Sequence, residues 1–187
     1  MKIKDYEDNL SIEALNMLKE FLPRQKKIEQ EVLKIPVMAL IWGASPSIES
    51  KLGDIRRELR EVLRKEGHLA MFSEELCQED SKLSIRAQQL IQAQEFDLII
   101  SIPGPHGSIA EIHDFTSDNR VRNKILLFLD KTYENGYSYQ SLFAIGNTLG
   151  CKIVIYENED DYSTILHTTL NEINSIRECK FLFGRCY

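Results

Sequence analysis

The residues best suited to chemistry lie in two short loops. The first is Gly43-Ala44-Ser45-Pro46-Ser47-Ile48-Glu49-Ser50, and the second runs from Ser101-Ile102-Pro103-Gly104-Pro105-His106-Gly107 into Ser108-Ile109-Ala110-Glu111-Ile112. Each follows an apolar run and precedes a helical pattern. In the first loop, the small residues Gly43, Ala44, Ser45 and Ser47 let a ligand come close to the backbone, and the helix N-terminus beyond them presents unpaired N–H groups to an anion. Neither G-x-G-x-x-G nor G-x-x-x-x-G-K-[ST] occurs, which disfavours a standard dinucleotide fingerprint and P-loop nucleotide hydrolysis. In the second loop, Gly104 and Gly107 open onto Ser108 and Glu111. Ser108-x-x-Glu111 has capping-box spacing, in which the hydroxyl accepts from the N3 N–H and the carboxylate accepts from the N-cap N–H. That arrangement contributes about 1 kcal/mol with no catalysis involved. A carboxylate at the mouth of a crevice can equally act as a nucleophile or as the partner of a developing cation. His106, whose ordinary pKa lies near physiological pH, is the candidate proton donor.

Other polar residues are weaker candidates. Glu74 and Glu75 follow a short apolar run and could engage ribose hydroxyls. Asp130 and Tyr133 follow a longer run and could reach a ribose or a base, although the Asp130–Tyr137 stretch, with its Asn135-Gly136 turn signal, reads first as a solvated loop. Asp97 begins a strand, at the end away from ligands, and reads as a turn residue. His106, Glu111 and His113 do not read as a metal site, because positions 111 and 113 project to roughly opposite sides of a helix. No metal and no cofactor is expected. G-x-S-x-G and C-x-x-C are both missing, and Cys77, Cys151, Cys179 and Cys186 read as reduced thiols, with Cys151 in the core.

These residues need a scaffold. Residues 1–35 are strongly charged, lack glycine and carry Leu15, Leu18, Leu22, Ile28, Val32 and Ile35 at helical spacing. Pro23 divides them into two expected helices, about 9–22 and 24–34, forming an N-terminal extension that docks on the main domain or on a second subunit. From residue 36 to 187 short apolar runs alternate with helical stretches. Strands are expected at Val37–Trp42, Leu69–Phe72, Asp97–Ile102, Lys124–Leu129 and Cys151–Tyr156. Helices are expected at Leu52–Leu63, Leu83–Ala93, from Ser108, at Ser141–Leu149 ending on Gly150, and at Asp161–Arg177. Three of the strands are continuous apolar runs, as strands buried on both faces are. Parallel strands need crossovers, which are right-handed. The expected fold is therefore an α/β, Rossmann-like (flavodoxin-like) three-layer sandwich, with a five-stranded parallel sheet in the order 2-1-3-4-5. Ligands of such sheets bind beyond the carboxyl ends of the strands where the order reverses, here between the first and third.

The composition limits the alternatives. The chain has 187 residues, 43% hydrophobic and 28% charged, with a net charge of −6. These values describe a globular chain, and an acidic one is a poor partner for nucleic acid. No run reaches the roughly 18 apolar residues of a membrane span and no signal-peptide h-region opens the chain, so a cytoplasmic protein is expected.

Gly107-Ser108-x-x-Glu111, just beyond an apolar strand, resembles the G-[ST]-x-x-E signature of the nucleoside 2-deoxyribosyltransferase-like superfamily. Trp42-Gly43-Ala44-Ser45-Pro46, the helix bearing Arg56 and Arg57, and Phe72-Ser73-Glu74-Glu75 are similar to its opening unit, so that the resemblance spans about residues 36–155 in element order. It implies that Glu111 attacks the anomeric carbon of a nucleoside or nucleotide, that the base departs, and that water or another base resolves the glycosyl ester, making the enzyme a hydrolase or a transferase. It also implies a homo-oligomer. The superfamily's acid two positions before the motif glycine is replaced here by Pro105. A pyridinium leaving group, as in NAD, needs no acid, and TIR-type NAD-cleaving domains are more distantly similar. Two other classes share the fold: a nucleotide-binding sensor without catalysis, and an interaction scaffold.

Overall fold

The computed structural model describes residues 10–46, 49–104 and 108–186, apart from the side chains of Ser108, Ala110 and Glu111. The chain divides into two compact units, Met1–Ile35 and Pro36–Tyr187.

Among its described residues the first unit contains one helix, α1 (Ile12–Val32), capped by Ser11, whose hydroxyl accepts from Ala14 N at 3.2 Å. The break expected at Pro23 is not there: the proline sits inside the helix. A proline there removes one N–H bond and crowds the preceding turn, at roughly 3 kcal/mol. The flanking turns are rich in good helix formers; Glu20–Arg24 (3.6 Å) spans the proline and Gln25–Glu29 (3.0 Å) bridges the turn after it.

The second unit has the expected fold. Its strands are β1 (Met38–Gly43), β2 (Leu69–Phe72), β3 (Leu98–Ile102), β4 (Ile125–Asp130) and β5 (Lys152–Tyr156), all parallel and in the order β2-β1-β3-β4-β5. The helices are α2 (Lys51–Lys65), the single turn α3 (Ser73–Leu76), α4 (Ile85–Glu95), α5 (Ser108–Thr116), α6 (Tyr137–Leu149) and α7 (Tyr162–Phe183). Every residue of β3 and β4 is buried, whereas the edge strand β5 is half exposed. Continuous apolar runs thus mark the sheet centre, where helices cover both faces.

Alternation along the strands sorts side chains into two cores. Ala39, Ile41, Ile100, Leu126 and Phe128 face Leu59 and Leu63 of α2 and Ile165 and Ile173 of α7. Leu40, Trp42, Ile99, Leu127 and Leu129 face Ala93 of α4, Phe115 of α5 and Leu142 of α6. Trp42 and Phe115 bring their ring centroids to 4.7 Å, tying β1 to α5. Asp97 holds the opposite, amino-terminal edge of the sheet: its Oδ2 accepts from Met38 N at 2.8 Å and from Lys180 Nζ at 2.5 Å. α6 starts four residues earlier than expected and ends on Gly150, whose φ of +84° suits glycine. α5 spans Ser108–Thr116, so Ser108 stands at its start as expected, while the side chains of the Ser108-x-x-Glu111 capping box lie outside those described.

Candidate functional site

The loop after β1 is built on a glycine that nothing else can replace. Gly43 has φ +145°, and a Cβ there would stand 2.2 Å from the Ile102 carbonyl oxygen of β3. The same close approach continues one step further out, since a Cβ on Gly104 would lie 3.2 Å from Ala44 Cβ. Small residues therefore let the loops leaving β1 and β3 meet.

A buried guanidinium then locks the first of these loops. Arg56 of α2 is fully buried and donates from Nη2 to Ile41 O at 2.8 Å and from Nη1 to Gly43 O at 3.1 Å and to Ala44 O. It also grips both carboxylate oxygens of Glu74, at 3.0 and 3.1 Å, and lies 4.7 Å from the Phe72 ring centroid. The fork of donors suits this bidentate geometry. Glu74 is thus committed to Arg56, and Glu75 accepts from Phe72 N at 3.0 Å and from Arg60 at 2.7 Å. These contacts bind the end of β1 to α2 and to the turn that follows β2.

The cavity opens one step along the sheet. It has a volume of about 250 Å³ and lies over the carboxyl ends of β3, β4 and β5. Pro103 and Gly104 border it, with Ile109 from the first turn of α5, Leu52 from α2, and Tyr133, Tyr137 and Tyr139 from the segment leading into α6. Two of its polar residues stand at strand ends. Asp130, the last residue of β4, is buried, and its Oδ1 accepts from Thr132 N at 2.8 Å and Thr132 Oγ1 at 2.6 Å. Tyr156, the last residue of β5, is 1% exposed, and its hydroxyl has no hydrogen-bond partner among the described residues. Burial first, then the Asp130 charge, pushes the Tyr156 phenol above the ordinary tyrosine range, so it stays a proton donor at neutral pH. Burial also raises the Tyr139 phenol, with Glu134 adding to the effect. Among the described residues bordering the cavity, Asp130 is the only charged one.

The residues singled out from the sequence are therefore divided. Gly104 and Asp130 border the cavity, Ala44 packs beside Gly104, and Gly43 lies against the Ile102 carbonyl. Ser45 is partly buried in the β1 loop. Glu74 is held away in the Arg56 clamp. Ser47, His106 and Gly107 lie outside the described residues, while Ser108 and Glu111 are placed on α5 by their backbone alone. Asp130 departs from the solvated-loop expectation, because it still belongs to the strand and is buried there.

Tyr156, Tyr139 and Leu52 escaped sequence reasoning. The first closes an apolar run and reads as core. The four aromatic residues in Tyr133–Phe143, directly after a strand, were the available signal.

Among the described residues, no group of three or more His, Cys, Asp or Glu side chains could hold a metal, and no helix is long and apolar enough to cross a membrane. No protein-family profile matches the chain, and no curated protein matches it.

Proposed function

We propose that the protein cleaves the N-glycosidic bond of a nucleoside or nucleotide, with Glu111 as the nucleophile. One observation carries the reading: the cavity stands at the carboxyl edge of the sheet and is walled by the first turn of α5, the helix that bears Glu111. Open parallel sheets bind ligands at that edge. The supporting pattern in the sequence is Gly107-Ser108-x-x-Glu111.

In the reaction, a Glu111 carboxylate oxygen forms a bond to C1′ as the C1′–N bond breaks, and the bonding pair leaves with the base. Water then attacks C1′ of the glycosyl ester and gives up a proton to solvent, as the C1′–carboxylate bond breaks to release the sugar with its new hydroxyl and restore the carboxylate. A neutral base must gain a proton on departure, whereas a pyridinium base leaves neutral without one. Pro105 in place of the superfamily's acid favours the second kind of substrate, as does a cavity whose described bordering residues include no cation.

Incubation with NAD, deoxynucleoside monophosphates and free nucleosides, followed by chromatography of the released base, tests the reading. Release of base from at least one class is expected. Binding without release from any of them would overturn it and leave a nucleotide sensor in its place.

A further inference from the structure

We infer that the cavity over β4 and β5 is a subsite for a cationic, planar heteroaromatic ring bearing a carboxamide-type edge, with Asp130 and the Tyr156 hydroxyl as its polar anchors. The inference deepens the proposed function and rests on it for the rest of the substrate, of which this ring would be the leaving group.

Charge is the first argument. Asp130 is 8% exposed, and no Lys, Arg or His among the described residues pairs with it; its neighbour Lys131 is drawn instead to Glu157, at 2.8 Å. Buried carboxylates are normally paired, because desolvation without a partner is costly. The Thr132 donors both serve Oδ1, which leaves Oδ2 with no described partner. A cationic ligand supplies the missing countercharge, and an anionic one, phosphate included, is repelled.

The walls and the size agree with this. Tyrosines at 133, 137 and 139 border the site together with Phe128, and electron-rich rings attract cations. An apolar cavity of roughly 150 Å³ takes one benzene ring. A volume of about 250 Å³ therefore takes one substituted ring or a fused pair, and not a whole dinucleotide.

The anchors define the edge of the ring. The Tyr156 hydroxyl is a buried donor without a described acceptor, and Asp130 Oδ2 is an acceptor without a described donor. Asp130 and Tyr156 are Cα register partners across the β4–β5 ladder, and both residues border the cavity. A group with a carbonyl oxygen beside an N–H, as in a carboxamide, satisfies both.

Calorimetric titration with three ligands of one ring skeleton tests this: the N-methylated nicotinamide cation, neutral nicotinamide and anionic nicotinate. The cation should bind about tenfold more tightly than nicotinamide, with nicotinate weakest. Asp130→Asn, which keeps an acceptor for Thr132, should bring the cation to the level of nicotinamide. Tyr156→Phe should weaken both carboxamide ligands about fivefold and leave N-methylpyridinium unaffected. Nicotinate binding as tightly as the cation, a cation preference that survives Asp130→Asn, or no binding of any of the three at millimolar concentration would overturn the inference. The assay reads binding alone, so an inert Glu111 leaves its outcome unchanged, and base release without this ligand order sinks only the subsite.

Discussion

Asp130 and Tyr156 are register partners at the carboxyl ends of β4 and β5, which sets a carboxylate and a phenol side by side on one face of the sheet. The Tyr156 hydroxyl does not stabilise the fold, since it is buried with no described partner. An unsatisfied buried polar group lowers stability by about 1–3 kcal/mol. Tyr156→Phe is therefore expected to melt at the same temperature as the parent or higher, by differential scanning calorimetry. A clear loss of stability would mean that the hydroxyl is satisfied within the protein.

Arg56 is the opposite case, a buried charge whose hydrogen bonds tie the end of β1 and its loop to Glu74. Arg56→Ala strips donors from the Ile41, Gly43 and Ala44 carbonyls and from Glu74. Destabilisation of about 3–5 kcal/mol is expected, seen as a lower urea midpoint with an unchanged slope. Glu74→Gln should cost less, because Arg56 keeps its three carbonyl acceptors.

Two glycines of the crevice separate clash from contact. A Cβ at position 43 meets a backbone oxygen at 2.2 Å with φ at +145°, whereas one at position 104 meets Ala44 Cβ at 3.2 Å. Gly43→Ala should lose about 3 kcal/mol or more and Gly104→Ala about 1 kcal/mol, both measured by denaturant unfolding.

The pH dependence of stability should carry the mark of His68. Its Nδ1 accepts from Val37 N at 3.1 Å, and burial first, then Arg177, lowers its pKa below 6.5, with Lys180 acting in the same direction and Glu66 against it. The unfolded chain then binds the proton more readily than the folded one. The stabilisation is fully present above pH 6.5 and is lost as pH falls through the lower folded value. His68→Gln, which offers Val37 N another acceptor, should flatten the stability profile just below pH 6.5. An unchanged slope would remove His68 from that role.

Fold and site were legible in the sequence to different degrees. β1, β3 and β4 announce themselves because strands covered on both faces need apolar residues at every position, and Leu98–Ile102 and Ile125–Asp130 are buried throughout. The alternation of strand and helix then leaves few topologies. Pro23 misled because the rule for proline weighs one lost bond and says nothing of the favourable turns on either side. The Arg56–Glu74 clamp joins residues eighteen positions apart, through a crossover that no local pattern reports. Tyr156 was hidden for a related reason: whether the last residue of an apolar run enters the core or borders a crevice depends on the register of its strand, and register is a property of pairs of strands.

The most direct test of the account is the initial rate of base release by Glu111→Gln at matched folding, with melting temperature as the control. The substitution keeps the size and shape of the side chain and removes the nucleophilic carboxylate. The account predicts a melting temperature equal to the parent's and a rate lower by on the order of a thousandfold or more. A variant that releases base within a few-fold of the parent's rate would contradict it.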